Sequence, residues 1–198
     1  MFRTFVLADL VTMVNAACGM SAIFCCLRYA AERDSRYVLA TFVLLPLALV
    51  ADVLDGAVAR FRRSKSPLGA DLDSLADVVS FGVAPAVLGF ALGLDGGWDA
   101  AILVYFVACG ISRLARYNAT IDALSDESGK VKYYEGTPIP TSLTLVLVLG
   151  IAYWTGHTHA DVWLGSFELG PFRLHPLSIM YALSGSAMIS SSLRIPKP

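Results

Sequence analysis

Six apolar stretches, roughly residues 5–28, 38–60, 72–94, 99–118, 139–156 and 174–193, fill most of this 198-residue sequence. About 20 apolar residues carry a helix across the hydrocarbon core of a bilayer. In that core the backbone must satisfy its own hydrogen bonds, which leaves helices and closed barrels. The pattern therefore predicts an all-α integral membrane protein, a bundle of six transmembrane helices forming a single domain over residues 1–198. Composition agrees: 56% of residues are apolar and 16% charged, against about 25% charged in soluble domains. A disordered chain, a coiled coil and an ordinary soluble enzyme are disfavoured. Fifteen basic and sixteen acidic residues leave a net charge of −1, so nucleic acid is not an expected partner and membrane lipids are. The first apolar run has no polybasic start and no small-residue cleavage site, and reads as a retained helix.

The gaps between these stretches hold turn and charge signals: 32–34, 62–67, 95–97, 122–137 and 156–173. Threading the chain through six spans puts Arg3, Arg60, Arg62, Arg63, Lys65, Arg113, Arg116, Lys130, Lys132, Arg194 and Lys197 on one side. Arg28, Arg33, Arg36 and Arg173 fall on the other. Eleven bases against four place both termini in the cytoplasm. Cys18, Cys25, Cys26 and Cys109 sit in apolar runs without metal-type spacing and read as small buried hydrophobes. His157, His159 and His175 read as residues of solvent loops.

The acids are the anomaly. Asp52 and Asp55 close the second stretch; Asp71, Asp73 and Asp77 open the third. An Asp at the centre of a membrane helix costs roughly 2.5–3.5 kcal/mol, and intramembrane acids mark functional sites. At 100° per residue, Asp52 and Asp55 are about 60° apart on one helix face, and Asp73 and Asp77 about 40° apart on another. Asp71 points about 160° from Asp73 and reads as a solvated or capping acid. A short basic loop joins the two helices, so the acid pairs lie at one depth and can converge. Four converging carboxylates repel unless a cation sits between them. All-oxygen ligands favour hard divalent ions such as Mg2+ or Mn2+. Gly56 and Ala59 leave room on the same face for a bulky ligand, and Arg60, Arg62, Arg63 and Lys65 rim it, as suits a phosphate. Two readings stand on residues alone: metal-dependent phosphoryl-type transfer, and a cation carrier that uses the acids as its pathway.

The segment from Asp52 to Asp77 reads DxxDGxxAR, eight residues, then GxxxDxxxD. It resembles the signature of the CDP-alcohol phosphatidyltransferases, with all eight fixed positions filled over 26 residues. Further strings resemble one branch of that family, the membrane-integral phosphatidylserine synthases: Asp9 to Asn15, Ser74 to Pro85, Cys109 to Asn118, Lys132 to Pro140 and Ser192 to Pro198. Departures are Tyr117 and Tyr134 where Phe is usual and Thr137 where Leu is usual. The resemblance implies a six-helix fold, a homodimer with a complete site in each protomer, and CDP-diacylglycerol and L-serine as substrates. CMP would be released. It implies Asp52, Asp55, Asp73 and Asp77 as ligands of divalent cations, Mg2+ or Mn2+, two per site, with Asp77 also the base for the serine hydroxyl. Gly56, Ala59, Arg60 and Gly69 match nucleotide-contacting positions, and Thr12 and Asn15, one turn apart, face the same ligand. Arg113, Arg116 and Tyr117 are assigned to serine, because Arg grips a carboxylate bidentately; positive-inside anchoring is the alternative for the two arginines. Lys132 and Glu135 precede a turn-like entry to the fifth span, either a cover for the polar substrate or a plain turn. Another acceptor, such as inositol phosphate, glycerol phosphate or choline, is the alternative within the family. The implied location is the endoplasmic reticulum in a eukaryote or the cytoplasmic membrane in a prokaryote, with the site at the cytoplasmic face.

Overall fold

The computed structural model describes residues 7–62, 69–124, 133–190 and 194–196. Helices α1 (Leu7–Glu32) and α2 (Ser35–Arg62) have 26 and 28 residues. At 1.5 Å per residue each is about 40 Å long, more than the ~30 Å core. They form an antiparallel hairpin that turns on Arg33 and Asp34. Arg33 takes φ 58° and donates its N–H to Tyr29 O at 2.8 Å. The Asp34 carboxylate accepts from Arg36 N at 2.9 Å, satisfying an orphan donor in the first turn of α2.

The third stretch, Gly69–Ala91, is continuous but not uniform. It comprises α3 (Gly69–Asp77), a π-helical stretch (Val78–Val83) and α4 (Ala84–Ala91). Pro85 has no N–H with which to continue the regular ladder, and the wider turn, with Ala84 N bonded to Val79 O, absorbs the break. Helix α5 (Gly97–Leu124) follows, then α6 (Leu143–Trp154) and α7 (Ile179–Ile189). Short 3-10 turns, Ile139–Ser142 and Pro176–Ser178, lead into α6 and α7.

Of the six expected spans, the first four hold helices long and apolar enough to cross a membrane. The fifth and sixth hold shorter apolar helices, Ile139–Trp154 and Pro176–Ile189. The third span is the hub, with 61% of its most apolar window buried against 28–39% in the other three. Small residues let its neighbours approach closely. A Cβ on Gly19 of α1 would lie 2.7 Å from Ser80 Cα, and one on Gly89 would lie 2.7 Å from the Tyr181 hydroxyl oxygen. Tyr181, wholly buried on α7, donates to Pro85 O at 2.6 Å and packs edge-on to Phe106 at 5.2 Å.

Two small antiparallel ladders lie at opposite ends of the helices. β1 (Tyr133–Glu135) pairs with β4 (Arg194–Pro196), Glu135 opposite Arg194. β2 (Phe167–Leu169) pairs with β3 (Phe172–Leu174), Glu168 opposite Arg173. This second hairpin falls in the gap 156–173. Its turn is Gly170-Pro171, with Gly170 at φ 65°.

The solvent-loop expectation fails for His175. It is buried, its Nδ1 is 2.6 Å from Asp99 Oδ2, and its backbone N donates to Asp99 Oδ1 at 2.9 Å. The partner is 76 residues away in sequence, so no local pattern announces it. His159 is half-buried and stacks on Tyr29 at 5.7 Å, while His157 stays exposed near Trp163. All four cysteines are free, with Cys18, Cys26 and Cys109 buried and Cys25 half-buried.

Candidate metal centre and substrate site

The acids converge as their spacing predicts. Asp52, Asp55 and Asp73 each offer an oxygen within 4.8 Å of the others. Asp52 also reaches Asp77 across the helix pair. Asp55 and Asp77 are buried, Asp52 and Asp73 half-buried, and Asp71 exposed.

Helix α1 supplies the polar back wall. Asp9, Thr12 and Asn15 are spaced by three residues, and all three are buried. Thr12 Oγ1 donates to Asp55 Oδ2 at 2.6 Å, and Asn15 Nδ2 donates to Asp77 Oδ1 at 3.2 Å. Ser80, in the π-helical stretch, donates to the Asn15 carbonyl at 2.9 Å. Thr12 and Asn15, expected to face a nucleotide, are thus aimed at the acids.

The residues fit a divalent cation. The donor set is all oxygen, and Asp73 Oδ1 is buried without a hydrogen-bond partner. A buried, unpartnered carboxylate oxygen on a residue that clusters with two other acids is the environment that a hard cation relieves. Gly56 adjoins Asp55 on α2 and Gly69 opens α3. Ala59 and Arg60 lie in the last turns of α2, but their side chains fall outside the described residues, as do Arg63, Lys65, Lys130 and Lys132.

The residues assigned to serine sit on α5. Arg113 is buried, with its guanidinium carbon 5.8 Å from the Tyr117 ring centroid. Arg116 Nη2 donates to Ile189 O at 3.2 Å, at the C-terminal end of α7, where a cation complements the exposed carbonyls. Asn118 Nδ2 donates to Ser74 Oγ at 3.0 Å, which brings this end of α5 beside the α3 acids. Sequence reasoning gave no role to Ser74, Ser80 or Asn118. Each lies inside a string that carried the resemblance, and that was the only signal available.

This arrangement, a membrane-embedded helical bundle with a carboxylate cluster at one end, is matched by comparison with known proteins. The model of the CDP-alcohol phosphatidyltransferase family matches residues 5–170, and the chain belongs to that family. Among curated relatives, the CDP-diacylglycerol–serine O-phosphatidyltransferase of Saccharomyces cerevisiae is 44% identical over 203 residues, covering all of this chain and 73% of the yeast protein. The Mycobacterium leprae enzyme of the same name is 32% identical over 90% of this chain, which spans only 60% of that relative. The archaetidylserine synthase of Methanothermobacter thermautotrophicus is 32% identical over 96% of this chain and 70% of its own length.

Proposed function

We propose that the chain transfers the phosphatidyl group of CDP-diacylglycerol to the hydroxyl of L-serine, giving phosphatidylserine and CMP. The observation that carries this reading is the convergence of Asp52, Asp55 and Asp73 within 4.8 Å beside Asp77. The relatives' names supply the acceptor.

The serine oxygen forms a new bond to phosphorus as the bond from phosphorus to the CMP oxygen breaks. Asp77, oriented by Asn15, takes the hydroxyl proton. Asp52, Asp55 and Asp73, with Asp77 beside them, would hold two divalent cations, Mg2+ or Mn2+. When bound, these neutralise the diphosphate and stabilise charge on the departing oxygen. Gly56 and Gly69 leave room for the nucleotide beside Ala59 and Arg60. Thr12 and Asn15 hold the acids in place from behind it. Arg113, Arg116 and Tyr117 receive the serine carboxylate. The two shorter helices complete a six-span bundle, the site faces the cytoplasm, and two copies associate, each with its own site.

The test is CMP release with single omissions. It is expected only when CDP-diacylglycerol, L-serine and Mg2+ or Mn2+ are all present. Release with inositol phosphate, glycerol phosphate or choline in place of serine would reassign the acceptor. Cation flux through liposomes lacking CDP-lipid would overturn the transferase reading.

A further inference from the structure

All three tryptophans of the chain lie at the end of the bundle away from the acids. Trp98 opens α5, Trp154 closes α6, and Trp163 follows the turn at 159–161. Between the last two helices runs the β2–β3 hairpin. Its register puts Phe167, Leu169, Phe172 and Leu174 on one face and Glu168 and Arg173 on the other. The polar face is self-paired, with Arg173 Nε 3.6 Å from Glu168 Oε1. The apolar face is only partly covered. Phe172 packs edge-on to Trp98 at 6.1 Å, and Trp98 Nε1 donates to Leu169 O at 2.8 Å. Phe167 remains 61% exposed, Leu169 55% and nearby Leu164 74%.

The level of the hairpin along the helices says what covers that face. Helix α6 has 12 residues behind a 3-10 turn of four, and α7 has 11 behind a turn of three. At about 1.5 Å per residue they reach roughly 24 and 21 Å, short of the ~30 Å hydrocarbon core that α1, α2 and α5 exceed. The shortfall lies at the acid end, where α7 stops beside Arg116 while α5 runs on to Leu124. The segment joining α6 to α7 is level with the first turn of α5, where an apolar span leaves the bilayer. It is also tied there: His159 N donates to Leu92 O at 2.8 Å, and Phe172 closes on Gly97, whose added Cβ would sit 2.5 Å from the ring.

We propose that the β2–β3 hairpin, with Leu164, is a membrane-interface element. Its apolar face enters the headgroup–acyl boundary of the leaflet opposite the acids, and the Glu168–Arg173 face lies toward water. An amphipathic element of this kind lies in the plane of the interface, level with the span ends to which it is tied. The tryptophans around it, Trp98, Trp154 and Trp163, match the aromatic enrichment of membrane interfaces.

The test uses the full chain in phosphatidylcholine vesicles whose acyl chains carry bromine either near the headgroup or near the chain end. Phe167→Trp and Glu168→Trp are read as emission added to that of the parent protein. For F167W, quenching by headgroup-proximal bromine is expected to exceed severalfold that by chain-end bromine, with little quenching by aqueous acrylamide. E168W should show the reverse preference for acrylamide. If F167W is quenched by acrylamide as strongly as E168W and ignores bromine, the hairpin stands in water and the proposal fails. If it is shielded from both, protein covers the face, a second copy foremost, and the proposal fails equally. Should F167W lose its helical circular dichroism, Leu164→Trp replaces it at an exposed turn position and is judged by the same outcomes.

Discussion

Thr12 and Asn15 turn a set of repelling acids into an oriented one. Each fixes one oxygen of a carboxylate by a hydrogen bond, the usual way in which outer partners tune a metal site. Thr12→Val is therefore expected to raise the Mg2+ or Mn2+ concentration for half-maximal CMP release by about 10–100-fold, with Thr12→Ser restoring most of it. An unchanged metal titration would remove Thr12 from the site. Asp77→Asn keeps the shape and a partner for Asn15 but cannot take a proton. CMP release should fall on the order of 10²–10⁴-fold while the thermal unfolding midpoint in detergent barely moves. The acids were legible in the sequence because carboxylates are costly in an apolar run and their spacing repeats with the helix. Thr12 and Asn15 were legible as residues of the site but not as supports of the acids, which lie 43 and 62 positions away.

At the scale of elements, two contacts set how the helices meet around the acids. Gly19 meets Ser80 so closely that a methyl group would lie 2.3 Å from its Oγ and 2.7 Å from its Cα. The side chain could turn away, but the backbone could not. Gly19→Ala should destabilise the fold by about 1–3 kcal/mol, read as a lower unfolding midpoint in detergent. Arg116 links α5 to the last carbonyls of α7, a geometry that serves either packing or substrate. Arg116→Ala is expected to raise the KM for serine as well as lower the midpoint; a lower midpoint with KM unchanged would leave it a helix cap alone. Hydropathy showed where the apolar helices run, because length and apolarity are local properties. The third span's internal change of pitch has no such signature in Val78–Val83. The β2–β3 hairpin was legible and overlooked: Gly170-Pro171 separates two alternating triplets, Phe-Glu-Leu and Phe-Arg-Leu.

For the molecule as a whole, the positive-inside asymmetry and the acids agree on one face. Reporters fused to each terminus should both register cytoplasmic, and the detergent-solubilised protein should scatter light with the mass of two copies. An external C-terminus or a monomer mass would each revise the arrangement proposed above. The π-helical stretch touches α1, α2, α5 and the turn before α6, and it imposes a rule on what mutations the chain can tolerate. An α-helix turns 100° per residue, and the wide turn holds one residue more than the regular ladder needs at that height. Asp73 and Asp77 on one side of it, and Pro85 and Gly89 on the other, are therefore set in two different angular phases. Regularising this stretch with all six residues Val78–Val83 kept would swing one phase about 100° against the other. Either the acids would lose their aim or Tyr181 its seat. The stretch can therefore give up its one surplus residue and keep both faces aimed, whereas at its present length it cannot become a regular helix.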